Sequence, residues 1–181
     1  MGLYTYDDNR LLRRIIRTVV YLVVIISTAW FVVYGFMGQT VISGQSMSPV
    51  LNAEDVCLVN RLKYDILSPD RYDIALMERA DSGKLVAKRV IGLPGETVLI
   101  RDGSIYIDGE KLKDDRLAEI SLAGIAENPV DLGSDEYFVI GDNTESSEDS
   151  RFANIGNVKR SAMKGKIWFR IKPTQNVGVI R

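Results

Sequence analysis

The first hydrophobic feature of the chain is a block, not a period. From Thr18 to Met37 it reads TVVYLVVIISTAWFVVYGFM, twenty residues without a formal charge. Coiled into a helix, that length spans roughly 30 Å, about one bilayer hydrocarbon core. A helix buried in a soluble domain rarely stays apolar all round for so long. A cleaved signal peptide has a shorter apolar run followed by a small-x-small site, and no Ala-x-Ala follows Met37. The block therefore predicts a transmembrane anchor over 18–37. Trp30, Tyr34 and Phe36 suit its outer interface, while Tyr21 lies nearer its start. Arg10, Arg13, Arg14 and Arg17 precede it. By the positive-inside rule, residues 1–17 form a basic cytoplasmic stub and residues 38–181 an extracytoplasmic domain.

Beyond residue 38 the pattern changes to short apolar runs broken by turn residues. Val56–Val59, Asp73–Met77, Leu85–Ile91, Thr97–Ile100, Ile105–Ile107, Tyr137–Ile140 and Lys166–Ile171 read as strands. Leu93-Pro94-Gly95 stops the third of these. Asp102-Gly103 and Asp108-Gly109 favour the turns that match strand twist. Arg116–Ala126 is the one helical candidate. The expectation is a mainly β domain of antiparallel strands that follows a single N-terminal transmembrane helix.

Composition then narrows the chemistry. The chain has no histidine and one cysteine, Cys57. A Ser-His-Asp triad, a Cys-His dyad and an imidazole zinc site cannot be assembled from it. Acid–base work near neutral pH falls to a carboxylate, a lysine, a tyrosine or a cofactor. An intrachain disulfide is excluded, which leaves the redox compartment open. A net charge of −1 gives no sign of a nucleic-acid partner.

Three segments carry more than structure. In Gly44-Gln-Ser-Met-Ser-Pro-Val-Leu51, Ser46 stands in a turn context that is ordinary when taken alone. In Lys84–Glu96, strand alternation places Val86, Lys88 and Val90 on one face and Ala87, Arg89 and Ile91 on the other. A lysine between two valines reads either as an edge-strand guard or as a desolvated ammonium of lowered pKa. Gly141–Arg151 is rich in short polar groups but lacks calcium-loop spacing. It reads as a solvated loop or as a support in which Asp149 pairs with Arg151 and Ser147 orients a neighbour.

Together these segments resemble the type I signal peptidases, membrane-anchored serine proteases that remove signal peptides. The family's Ser-Met-x-Pro-x-Leu stands here as Ser46–Leu51, its Lys-Arg-Val-Ile-Gly-Leu-Pro-Gly-acid block as Lys88–Glu96, and its Gly-Asp-Asn…Ser-x-Asp-Ser-Arg block as Gly141–Arg151. Gly165–Pro173 is similar to its closing strand. The single anchor, and the short span between the lysine and Gly-Asp-Asn blocks, resemble the compact Gram-positive branch. Thr144-Glu145-Ser146 departs from the commoner Arg-Asp-Asn.

The resemblance implies Ser46 as nucleophile and Lys88 as general base, with no cofactor or metal. It implies Ser147 as the group that orients Lys88, and Asp142, Asp149 and Arg151 as structural supports. The Ser46 backbone N–H would donate to the oxyanion. Some members carry a serine two residues before the nucleophile, whereas this chain has Gly44, so a backbone group or water would be the second donor. Ile42, Met47, Leu51, Val86 and Ala87 would line small apolar pockets that favour Ala-x-Ala. The preprotein would lie as an added strand beside Leu85–Lys88. Ser46 follows Met37 by nine residues, which keeps it near the bilayer surface. The rivals are a self-cleaving Ser-Lys repressor, a peptidase dedicated to one substrate such as a pilin, and a non-catalytic assembly factor or chaperone. Retention of both Ser46 and Lys88 argues against the last.

Overall fold

The computed structural model describes residues 8–113 and 119–180, without the side chains of residues 8–9 and 32–36. The sequence expectations for Tyr34 and Phe36, and part of that for 1–17, lie outside the described residues. The chain divides into two compact units, Met1–Met37 and Gly38–Arg181.

In the first unit one helix, α1, runs over Asp8–Phe36. It starts ten residues before Thr18, so the arginines of the basic stub are helical too. Its stretch Arg10–Phe31 is long and apolar enough to cross a membrane by length and composition. Its described apolar side chains, from Leu11 to Phe31, are exposed.

The second unit is mainly β. Its elements are β1 (Met37–Val41), β2 (Val56–Asn60), the short helix α2 (Arg61–Ile66), β3 (Ile74–Glu78), β4 (Leu85–Gly92), β5 (Thr97–Arg101), β6 (Ser104–Ile107), β7 (Glu110–Lys111), β8 (Val130–Asp131), β9 (Glu136–Ile140), β10 (Val158–Lys159), β11 (Met163–Lys172) and β12 (Gly178–Val179). The larger sheet has the order β1-β2-β11-β3-β4-β9-β10, with β12 added to β11. The smaller has the order β7-β6-β5-β8. Neighbouring strands pair antiparallel wherever their register is defined.

The turns follow local chemistry. Asp102 and Gly103 both take positive φ, as do Asp108 and Gly109, which suits tight hairpins. Asn60 caps α2 by accepting from Lys63 N at 3.0 Å. Ile91 and Phe138 of the larger sheet pack against Val98, Ile100, Ile105 and Ile107 of the smaller one.

The helix expected over Arg116–Ala126 is not formed in its described part. Residues 116–118 lie outside the described residues, and the remainder holds only a 3₁₀ turn, Gly124–Glu127. The backbone donors there are used elsewhere: Ile120 N–H donates to Gly103 O at 3.1 Å and Ile125 N–H to Arg151 O at 2.9 Å. Gly124 has φ +60, and a Cβ there would lie 2.1 Å from Arg151 O. The segment is a cover over the Arg151 loop, with Ile120 and Ala126 in the core.

A buried carboxylate ties α2 to the larger sheet. Asp73 accepts from Lys63 Nζ at 2.6 Å, and Lys166 Nζ lies 2.6 Å from its other oxygen. Burial alone would raise its pKa, but hydrogen bonds from Lys166 and Lys63 outweigh that and hold it below the usual carboxylate range. Its stabilisation is therefore present above the unfolded pKa and is lost as pH falls through the folded one. Asp73→Asn is expected to lower stability by about 2–4 kcal/mol near neutral pH, because it leaves two ammonium groups facing a neutral amide. Denaturant unfolding should show this difference shrinking below about pH 4.

Candidate active site

Ser46 lies on the loop between β1 and β2, half-buried. Its neighbours fix the loop. Met47 and Leu51 are buried in one apolar cluster, and Leu51 N–H donates to Met47 O at 2.8 Å. Below them Asp55 accepts from Asn52 N at 3.0 Å and from Arg170 Nη1 at 2.7 Å. Arg170 Nη1 also reaches Val50 O at 3.0 Å. Gly44 has φ +80 with open space at its Cβ position. A serine would fit there sterically but would be strained by the backbone.

Lys88 is on β4, opposite Ala75 of β3, and only 4% exposed. Neighbours at alternate positions, Val86 and Val90, pack in the same cluster as Ala75 and Met77. Lys88 is thus a buried ammonium and not a guard facing solvent. Lys88 Nζ donates to Ser147 Oγ at 2.9 Å. Its pKa is lowered from 10.5 to about 8, first by burial and then by the Arg79 and Arg151 cations, against the opposing pull of Asp149 and Glu148. About a tenth of the amine is neutral at pH 7 on that value.

The partner of Lys88 is held in turn. Ser147 Oγ donates to Asp149 Oδ2 at 2.6 Å. The same oxygen accepts from Gly141 N at 3.0 Å and Arg151 Nη2 at 2.9 Å, while Oδ1 accepts from Arg151 Nε at 2.8 Å. Arg151 spends its remaining donors on Thr144 O at 2.9 Å and Leu122 O at 3.2 Å. Asp149 and Arg151 are almost fully buried, so such complete pairing is what makes their charges tolerable.

Each residue of Gly141-Asp142-Asn143 has a mechanical task. A Cβ at Gly141 would lie 2.2 Å from Ser147 Oγ and 2.4 Å from Ser46 O, so only glycine lets these two approach. Asp142 accepts two bonds from Arg89, at 2.6 and 2.7 Å, with both side chains buried. Asn143 N–H donates to Ser46 O at 3.1 Å. The Ser46 loop, the Lys88 strand and the Ser147 loop thus meet around Gly141.

Ser46, Lys88, Ser147, Asp149 and Arg151 are brought together, with Asp142 one step behind through Arg89. No hydrogen bond joins Ser46 Oγ to Lys88 Nζ directly among the described residues. Ile42, Met47, Leu51 and Ala87 share one cluster, together with Cys57, Ile74 and Leu76. Val86 packs instead on the Lys88 side. Arg89 stands in the sequence only as a second cation of the strand, and its burial demands the carboxylate partner that Asp142 supplies. Among the described residues no group of three or more His, Cys, Asp or Glu side chains is arranged to hold a metal ion.

Comparison with known proteins finds relatives of one family. A family model described as "Signal peptidase, peptidase S26" matches residues 12–172. A probable signal peptidase I-2 of Synechocystis sp. is 30% identical over 77% of this chain, which spans 65% of that protein's length. Signal peptidase I of Bacillus caldolyticus is 34% identical over 74% of this chain and 78% of its own. A crystal structure of a signal peptidase I from Enterococcus faecalis V583 is 34% identical and overlaps 55% of this chain and 97% of that one, at a TM-score of 0.47.

The buried ammonium has a stability consequence. A lysine with a lowered folded pKa weakens the fold below about pH 8, and the penalty disappears as pH rises through 10.5. Lys88→Met keeps the stem and removes the charge. It is expected to raise stability by about 1–3 kcal/mol near neutral pH. Unfolding at a series of pH values should show the gain vanishing in alkali. A variant less stable than the parent at pH 7 would contradict the desolvated ammonium.

Proposed function

The chain belongs to the signal peptidase family S26, and on that premise we propose that it is a membrane-anchored serine endopeptidase that cleaves signal peptides from exported preproteins. The observation that carries the reading is a buried lysine of lowered pKa, gathered with Ser46 around Gly141 in a chain that has no histidine.

In this mechanism Ser46 Oγ attacks the scissile carbonyl while neutral Lys88 takes its proton. The Ser46 hydroxyl turns towards the amine when substrate fills the site, since catalytic hydrogen bonds commonly tighten only then. Ser147, fixed by Asp149, holds the amine in place. The Ser46 backbone N–H donates to the oxyanion. Protonated Lys88 then gives its proton to the leaving amine; in the second half, Lys88 takes a proton from water, which attacks the acyl carbon, and returns that proton to Ser46 Oγ as the acyl–oxygen bond breaks. Arginine cannot fill this role because it stays protonated.

Strand pairing supports the mode of substrate binding. Leu85–Lys88 pair with β3 on one edge, and β9 joins the other edge only from Arg89 onward. Residues 85–88 therefore offer an edge on which an extended peptide adds as a strand. Ile42, Met47, Leu51 and Ala87 form the apolar wall for small residues before the cleaved bond. The arginines at the start of α1 support, by the positive-inside rule, an N-terminus in the cytoplasm and a catalytic unit outside. A protein with no chemistry to perform has no use for a destabilising buried ammonium, which disfavours the assembly-factor reading.

Ser46→Ala, Lys88→Ala and Lys88→Arg are each expected to reduce cleavage of an Ala-x-Ala preprotein by about 10³-fold or more, with the fold intact. Sequencing the new N-termini and recording circular dichroism check both parts. Undiminished turnover in any of the three contradicts the dyad.

A further inference from the structure

A bridge outside the dyad joins the two segments that must stay in register. Arg79 lies just past the end of β3, in the turn that leads into the Lys88 strand. Its backbone is fixed there, with Arg79 N–H donating to Lys84 O at 2.9 Å and Gly83 N–H to Arg79 O at 2.8 Å. Its guanidinium forms a fork with Asp81, Nε to Oδ1 at 3.0 Å and Nη2 to Oδ2 at 2.5 Å. The remaining arm, Nη1, reaches Glu148 Oε2 at 2.6 Å. Glu148 stands between Ser147 and Asp149, the two residues that hold Lys88.

We propose that Arg79 is a positioning residue of the reaction: its bridge to Glu148 joins the hairpin that carries Lys88 to the Ser147 loop and fixes one opposed pair of charges beside the site. The inference rests on the reading of Lys88 as general base. The bridge is a short side-chain link across 69 residues of sequence, between the hairpin turn and the catalytic loop. Exposed pairs of this kind add little to global stability. Here the effect falls on a neighbour instead. The charged groups that act on Lys88 are Asp149, Arg151 and Glu148 from the loop and Arg79 from the turn. Ala75, opposite on β3, is apolar, and Arg89 points to the other face with Asp142. Within this set the two bridge partners pull in opposite directions, Arg79 towards the neutral amine and Glu148 towards the ammonium.

Opposite signs give a test that a merely structural bridge would fail. In the full chain, held in detergent micelles with carbon-13 in its lysine side chains, the Lys88 signal is assigned by its loss in Lys88→Met. Arg79→Gln is expected to raise the Lys88 midpoint by about 0.3–0.5 pH unit, the scale of one charge roughly 10 Å away in a watery setting. Glu148→Gln is expected to lower it by a similar amount, and the double variant to return near the parent. The acid limb of kcat/KM should move with each midpoint, so Arg79→Gln loses about two- to threefold at pH 7. Arg79→Lys should restore the parent profile, and 1 M salt should erase the differences. Equal losses of activity in both single variants without opposed midpoint shifts would overturn the proposal, and if Arg79→Gln does not fold, the sign of the Glu148→Gln shift decides alone. Opposed shifts of the Lys88 signal with an unmoved acid limb would uphold the bridge and overturn Lys88 as the base.

Discussion

A buried ammonium is the constraint around which the catalytic unit is arranged. Lys88 is almost fully enclosed, and its partner in the structure is the hydroxyl of Ser147. A neutral acceptor of that kind positions the amine without locking it as a cation. The full negative charge sits one step further out, on Asp149, where Arg151 already balances it. Had Asp149 bonded Lys88 directly, the ion pair would have favoured the charged form and removed the base at neutral pH. The relay through Ser147 keeps orientation and charge pairing on separate side chains.

This arrangement explains why so much of the second unit serves a small loop. The 120s segment gives up helical structure to donate to Arg151 O and to accept from Arg151 Nη1. Gly141 is bare so that the Ser46 carbonyl and Ser147 can close on it. Arg89 and Asp142 neutralise each other on the opposite face of β4, which fixes the start of the Gly-Asp-Asn loop. Asp55 and Arg170 hold the Ser46 loop from below. Each contact is ordinary, and among the described residues none of them is made by the Ser46 hydroxyl.

Much of this was legible in the residues. The alternation Val86, Lys88, Val90 placed the lysine on an apolar face, and the two Asp-Gly pairs located the hairpins, because both signals are local and depend only on backbone geometry. Residues that depend on a distant partner were less legible. Arg89 was visible as a cation in a strand, but Asp142 lies 53 residues away and nothing local links the two. Arg116–Ala126 has helical composition, yet its described part spends its backbone donors on tertiary partners. Val86 and Ala87, adjacent in sequence, fall in different apolar clusters because successive side chains of a strand point to opposite faces. The two-residue strands β7, β8, β10 and β12 have too few residues for a period to show.

The central claim is that neutral Lys88 is the working base, and the pH dependence of kcat/KM in the unmodified protein tests it most directly, since that quantity reports ionisations of the free enzyme. With a preprotein substrate the account predicts a rate that rises about tenfold per pH unit on the acid side and levels off near pH 8, the midpoint set by burial of the amine. A limb with its midpoint in the carboxylate range, or one still rising towards the ordinary lysine value of 10.5, would contradict it.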